Sequence, residues 1–340
     1  MKEALLYKQL EKSRVSCEVC PRNCVVAPGR LGLCKARQNI DGKLYTLIYS
    51  LCSSIAADPI EKKPVFHFCP GSIVLSLGTL GCNLRCKHCQ NWQIAHADAL
   101  KDGKGLEVVE PFKLIELAKK TSSKGVAWTY NEPTIWLEYV VEGAKLCKEN
   151  DLYTVAVTNG YITEKALDLI GPYLDVFRVD IKGFTSEAYF KIAKVKDFTP
   201  ILIATKRAKF KWNCHVEVVT NIIPTVNDDA EQLRQIARWI VSELGPETPW
   251  HVTRFIPYLE FSHLPPTPLD KIVEAREIGM TSGLKFVYIG NVPGNEGENT
   301  ICPNCGQVAV RRQGFYVSSY KVKNGRCANC GEDLNIKDIC

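Results

Sequence analysis

Three cysteines constrain this chain more than any other feature. Cys82, Cys86 and Cys89 stand as C-x3-C-x2-C within the segment GTLGCNLRCKHCQNW. Such close thiol spacing marks a ligand loop rather than a packing element. A four-iron cluster normally takes four cysteine thiolates, and no fourth cysteine follows nearby. A cluster held here leaves one iron open, and an open iron can bind a reactive small molecule. Two other readings stand beside this one. Zinc could use His88 as a fourth ligand, although adjacent His88 and Cys89 diverge and chelate one metal poorly. A closed electron-transfer cluster could draw on distant Cys69 or Cys52. The open-iron cluster is the preferred reading.

The remaining cysteines extend the metal theme. The chain has 340 residues and 16 cysteines. Disulfides would be the natural reading in a secreted protein, but the N-terminal MKEALLYKQLEKS is charged and has no apolar signal core. The longest apolar runs, such as SIVLSLGTLG, fall well short of the roughly 20 residues that span a bilayer. Hydrophobic content of 46%, charged content of 24% and a formal charge of +6 are ordinary for a soluble domain. The expectation is a cytoplasmic, reduced, metal-loaded protein with no membrane partner.

Cys17, Cys20, Cys24 and Cys34 form a C-x2-C-x3-C-x9-C set that suits either zinc or an auxiliary 4Fe-4S cluster. Cys302, Cys305, Cys327 and Cys330 form two C-x2-C knuckles, each followed by glycine, the pattern of a zinc ribbon. Cys52, Cys69, Cys147 and Cys214 read as small buried hydrophobes, and Cys340 as a free terminal thiol.

The first fifteen residues read as a short helix with Leu6, Tyr7 and Leu10 on one side. Residues 17–34 read as a ligand-organised knuckle, and 44–56 as one long strand or a strand pair. The loop DPIEKKPVFHF, with Glu61, Lys62, Lys63 and His67, reads as a lid over a substrate or as a solvated linker. From residue 72 short β-branched runs alternate with amphipathic helices. The runs cover 73–78, 125–130, 153–158, 175–181, 215–223, 251–256 and 285–290. This alternation predicts an α/β fold with a parallel sheet. The expected form is a partial (β/α) TIM-like barrel, with a doubly wound sheet as runner-up. Three segments are expected: a Cys-rich lead-in over 1–68, the barrel over 69–294 and the ribbon over 295–340.

In either architecture active residues gather at the C-terminal strand ends. That rule selects the Cys82–Cys89 loop, Asn131 and Glu132, Thr158 and Asn159, Asp180 and Lys182, Asn221, and Arg254 with His251.

With C-x3-C-x2-C following the first strand of a β/α pattern, the chain resembles the radical S-adenosylmethionine superfamily. The segments WTYNEP, VTNGY and VDIKGF resemble its pyruvate formate-lyase activating-enzyme branch. CEVCPRNCVVAPGRLGLC, DPIEKKP, TYNEPTIWLEY and PWHVTRFIPY look like the AmmeMemoRadiSam-system group. The resemblance implies that the open iron binds S-adenosylmethionine and that a reduced cluster cleaves it to a 5′-deoxyadenosyl radical. It implies that Tyr130, Asn131 and Glu132 take the place of a Gly-Gly-Glu segment holding the cofactor's amino group. It places Asp180 and Lys182 on a DxK element facing the cofactor, and His251 and Arg254 on a later contact strand. Thr158, Asn159, Asp180, Lys182 and His251 would line the cavity, with Lys182, Asp180 and His251 as catalytic candidates. Arg85 and Lys87 would help hold a carboxylate. Two positions depart from the pattern. His88 stands where an aromatic usually lies by the adenine, and Val157 stands where glycyl-radical activases often carry Asp.

The implied cofactors are a 4Fe-4S cluster, S-adenosylmethionine and zinc. The implied partners are a low-potential donor, such as a ferredoxin or flavodoxin, and a hydrogen-donating substrate. A protein or peptide is the first substrate reading. RNA or a small molecule is the alternative, with Arg311 and Arg312 as a basic handle. A non-enzymatic zinc protein that binds nucleic acid is the rival from another class.

Overall fold

Apolar runs bounded by Gly, Asn and Pro become short parallel strands, and the amphipathic stretches between them become helices. The computed structural model describes residues 1–338; the reading of Cys340 lies outside the described residues. The strands of the α/β region are β1 (Ile73–Gly78), β2 (Gly125–Trp128), β3 (Tyr153–Thr158), β4 (Val176–Asp180), β5 (His215–Ile222), β6 (Trp250–Arg254) and β7 (Val287–Gly290). The main helices are α1 (Lys113–Lys120), α2 (Leu137–Glu149), α3 (Glu164–Ile170), α4 (Ser186–Ala193), α5 (Thr199–Phe210), α6 (Ala230–Leu244) and α7 (Leu269–Thr281).

The chain divides into two compact units. The first comprises 1–58, 73–177 and 197–214; the second comprises 59–72, 178–196 and 215–340. This division cuts across the three consecutive segments expected from composition. Strand β4 is shared, its first two residues counted with the first unit and its last three with the second.

In the first unit β2 is the middle of a parallel run. Val126 faces Leu75 of β1 on one side and Thr154 of β3 on the other. Val74, Leu75, Leu77, Val126, Ala127, Trp128, Val155 and Ala156 are all buried, as parallel strands covered on both faces require. In the second unit β6 holds the corresponding place: Val252 faces Thr220 of β5 and Ile289 of β7. The sheet is mostly parallel, and no ladder among the described residues closes it into a barrel.

Helix starts follow capping chemistry. Thr163, Thr185 and Asp229 accept the backbone N–H of Ala166, Ala188 and Gln232 at the starts of α3, α4 and α6. The polar residues just before α6 do other work. Asn227 accepts Ile223 N–H and donates to the carbonyls of Lys182 and Asn221.

The N-terminus corrects the helix expectation. Tyr7–Gln9 and Val15–Cys17 are strands paired antiparallel. The chain reverses between them through Lys12 and Ser13, both at positive φ. Of the expected apolar stripe, Leu10 is exposed while Leu6 and Tyr7 are half-buried. The stretch 44–56 is also broken: Ser50, at φ 58°, separates Lys43–Thr46 from Leu51–Cys52 and Ser54–Pro59.

The segment after Pro59 is not a solvated lid. Glu61, Lys63 and His67 are all buried, and Glu61 faces Arg312 at 3.7 Å. Cys69 is buried as expected but disulfide-bonded. Cys52, Cys147 and Cys214 are buried free thiols.

Candidate metal and cofactor site

The thiol loop leaves the C-terminal end of β1 and is held almost entirely by backbone contacts. Asn131 spans its start, accepting Thr79 N–H at 3.1 Å and donating to the Gly81 carbonyl at 2.9 Å. Arg85 turns inward and donates to the carbonyls of Cys82, Leu84, Ala95 and Leu33. It clamps the loop, where the sequence pointed to a carboxylate holder. Asn91 closes the far end by donating to the Tyr130 carbonyl at 2.7 Å. Gly81 has a physical reason to be glycine. Its φ is 89°, and a Cβ there would lie 2.3 Å from the Cys34 carbonyl oxygen.

Cys82 is buried, whereas Cys86 and Cys89 are partly exposed. Leu84 N–H and the Asn159 amide point at the Cys82 sulfur, at 3.4 and 3.7 Å. Donors of this kind stabilise a thiolate and tune a cluster. The three sulfurs do not lie within 4.8 Å of one another, a condition met among the described residues only by Cys302, Cys305, Cys327 and Cys330. Zinc holds thiolates at about 2.3 Å, so this trio is too open for one zinc ion and suits a four-iron cluster. Cys69, being disulfide-bonded, is not a fourth ligand.

Strand ends β2 and β3 meet beside this loop. Glu132 is fully buried. Its carboxylate accepts Thr134 N–H at 2.9 Å, Thr158 Oγ1–H at 2.7 Å and Asn159 N–H at 2.8 Å. Burial pushes its carboxyl above the ordinary range, and the Asn159 and Thr134 amides oppose that shift. Asn159 in turn donates to Asn83 Oδ1 at 2.9 Å, and Asn83 donates to the Tyr161 carbonyl at 2.7 Å. Thr158, Asn159, Asn131 and Glu132 are thus brought together around Cys82. Their observed contacts join the two strand ends to the loop.

Tyr130 takes φ 72°, a left-handed conformation natural to glycine. It adopts the glycine-type backbone with a side chain attached, and its hydroxyl donates to Asp58 Oδ2 at 2.6 Å. His88 is half-buried on the loop.

The second unit carries the other polar strand ends. Asp180 lies between Arg178 and Lys182, with the Lys182 ammonium at 2.9 Å. Burial alone would raise its carboxyl; the guanidinium and ammonium outweigh that and hold it down to about 2. Arg178 escaped sequence reasoning, although its place two residues before Asp180 on one strand puts it on the same face.

His251 is buried with its Nε2 donating to Glu217 Oε2 at 2.6 Å. Glu217 also engages His215 at 3.0 Å and accepts the Phe66 and His67 N–H groups, each at 2.8 Å. Burial depresses His251, while Glu217 is held well below the carboxylate range despite its burial; a neutral imidazole bound to a carboxylate satisfies both. Glu217 was also missed. Its signal was a single acid inside the apolar run HVEVV, two residues from a histidine. Arg254 Nε donates to the Thr267 carbonyl at 2.9 Å, and Asn221 bonds Thr253.

The four C-terminal thiols form a compact group. Cys302 and Cys330 stand 3.5 Å apart, and Cys305 and Cys327 3.8 Å. These separations suit tetrahedral thiolate coordination of one ion. Arg312 is buried, which removes it from the expected surface handle; Arg311 remains exposed.

The family model of the radical SAM superfamily matches residues 77–240, the segment that carries the end of β1, the thiol loop and strands β2 to β5. The chain belongs to the radical SAM superfamily. An uncharacterized protein of Methanocaldococcus jannaschii is 40% identical over 99% of both chains. A putative glycyl-radical enzyme activating enzyme of the same organism is 25% identical, over 64% of this chain and 79% of its own length. The pyruvate formate-lyase-activating enzyme of Clostridium pasteurianum is 30% identical, over 47% of this chain and 66% of its own length. This radical SAM protein is therefore an enzyme related to activating enzymes. No helix among its described residues is long and apolar enough to cross a membrane.

Proposed function

We propose that this radical SAM enzyme cleaves S-adenosylmethionine reductively at a four-iron cluster on Cys82, Cys86 and Cys89, and that the resulting 5′-deoxyadenosyl radical takes a hydrogen atom from a protein or peptide. The observation that carries this reading is the loop itself: three thiols too widely set for one zinc ion, with backbone and amide donors aimed at the buried sulfur. Asn131, Arg85 and Asn91 fix the loop before any ligand arrives, so little reorganisation is left for binding. Glu132 holds Asn159 against Cys82, acting on the site through its neighbours. The clustered Asp180, Lys182 and Arg178 supply a fixed charge pattern suited to a zwitterionic ligand, with Lys182 as the carboxylate partner. Neutral His251, locked on Glu217, would act by position and not by proton transfer. A low-potential electron donor of the ferredoxin or flavodoxin kind completes the system.

The names of two relatives, both activating enzymes, support a macromolecular substrate. The zinc-ribbon reading of Cys302, Cys305, Cys327 and Cys330 supplies a docking module for it.

The test is anaerobic reconstitution followed by assay of 5′-deoxyadenosine with S-adenosylmethionine and dithionite. The wild type is expected to produce it, and Cys86→Ala to lose the loop's share of the iron together with the product. Unchanged product formation in Cys86→Ala would refute the proposal. For the substrate, deuterium transfer from labelled candidate peptides into 5′-deoxyadenosine is the expected result. Transfer from RNA or a small molecule instead would replace the protein reading.

A further inference from the structure

The N-terminal cysteines are the largest piece of metal-binding chemistry that the radical SAM reading leaves unused. Cys17, Cys20, Cys24 and Cys34 line one cavity of about 20 Å³, walled also by Val19, Val26, Leu33 and Ile135, with Arg37 and Asn83. Such a space admits a water-sized sphere. Four sulfurs closed on a single zinc ion leave no such space.

Sulfur spacing makes the same distinction. Two thiolates on one zinc, each at about 2.3 Å, stand no farther apart than about 4.6 Å even in a straight line. Among the described residues only the C-terminal four cysteines bring their sulfurs all within 4.8 Å. Every trio drawn from the N-terminal four therefore contains a pair too distant to share one zinc. In this respect the N-terminal set behaves like the Cys82–Cys86–Cys89 loop and unlike the ribbon.

Its position adds a role. The cavity wall includes Asn83, the residue bonded directly to Cys82. Arg22 donates to the Asn83 carbonyl at 3.1 Å. The Cys34 carbonyl oxygen lies 2.3 Å from where a Cβ of Gly81 would be. The N-terminal cage and the catalytic loop thus share a wall inside one compact unit. Four thiolates saturate a four-iron cluster, which leaves no iron open for substrate and suits electron transfer.

We propose that Cys17, Cys20, Cys24 and Cys34 hold a second four-iron cluster that passes single electrons to the cluster at Cys82, Cys86 and Cys89. The relay rests on the radical SAM reading above; the cage assignment stands without it. A one-electron donor of the iron–sulfur or flavin class is oxidised by one electron, and the N-terminal cluster is reduced by one. That cluster returns to its oxidised state as the loop cluster is reduced, and no bond forms or breaks in the relay.

The test uses the full chain, reconstituted anaerobically with iron and sulfide. The triple variant Cys82→Ala, Cys86→Ala, Cys89→Ala is expected to keep about four iron and four sulfide per chain. No iron in that variant, with zinc counted at both remaining cysteine sets, would overturn the proposal. Cys24→Ser alters a partly exposed ligand and, with circular dichroism unchanged, is expected to lose the N-terminal iron while keeping the loop's. Iron absent from the loop but present in the triple variant would sink the earlier reading and uphold this cage. For the relay, Cys24→Ser should still make 5′-deoxyadenosine with dithionite but fall roughly tenfold or more with a reduced flavodoxin or ferredoxin. Equal loss with both reductants, or no loss with either, would overturn the relay.

Discussion

Glu132 shows how one buried carboxylate can tie two strand ends to a ligand loop. It gathers donors from Thr134, Thr158 and Asn159, and through Asn159 it sets the amide facing Cys82. Glu132→Ala leaves these buried donors without an acceptor, at about 1–3 kcal/mol for each group left unsatisfied. A marked fall in the urea midpoint is expected, together with a shifted cluster spectrum; an unchanged midpoint would contradict the pinning role. His67 makes a pH prediction at the same scale. Its Nδ1 donates to the Leu334 carbonyl at 2.8 Å, and its Nε2 accepts from the Tyr288 hydroxyl, so the neutral ring is satisfied on both sides. Burial depresses it from 6.5 to about 3. A depressed folded value means that stability is complete above pH 6.5 and is lost as pH falls towards 3. By pH 5 the loss from this group is about 2 kcal/mol. Denaturation midpoints at pH 7.5 and 5.0 should show that fall, and His67→Asn should reduce it.

At the scale of elements, much was legible because each β/α unit carries its own signals. The runs 73–78, 153–158 and 215–223 became β1, β3 and β5 nearly residue for residue, since continuous β-branched runs have no comfortable alternative to a buried parallel strand. The N-terminal strands were not legible. Tyr7–Gln9 is three residues long and exists through its pairing with Val15–Cys17, so tertiary contact overrode local pattern. Asn131 and Glu132 could be placed at a strand end, but not their partners. Apart from neighbouring Thr134, those partners lie in segments brought close only by the fold, as does Arg37, whose buried ion pair with Glu138 spans 101 residues. Helix packing supplies a test of the same kind. In α2, Gly143 would ordinarily be improved by alanine, by about 1 kcal/mol. Here a Cβ would lie 2.7 Å from Leu114 Cδ1 and 2.9 Å from Trp128 Cζ2. Overpacking of this sort costs about 1–3 kcal/mol, so Gly143→Ala should lower the thermal midpoint; a rise would show that α1 and α2 can move apart.

At the scale of the molecule, the C-terminal cysteines belong to the second unit's core and are not a detachable appendage. Cys302 and Cys327 pack with Phe66, Phe286, Tyr288, Val310, Leu334 and Ile336. Arg312 lies 4.0 Å over the Phe66 ring and donates to the Phe66 carbonyl and to Thr300 Oγ1. The same cluster fixes His67 and stacks Tyr288 on His251. A metal on these four thiolates would therefore hold more than two hairpins. Replacing the outer pair, Cys305→Ser with Cys330→Ser, leaves the two core cysteines in place and removes half of the ligands. The expected outcome is loss of one metal ion per chain, protease cleavage within 300–338 and a fall in thermal midpoint larger than exposed substitutions produce. The first unit, which carries the thiol loop and its Asn131, Glu132 and Asn159 contacts, should still take up iron. Full resistance to protease in the metal-free variant would show that apolar packing alone holds the ribbon. Loss of iron from the thiol loop would show instead that the two units do not fold independently.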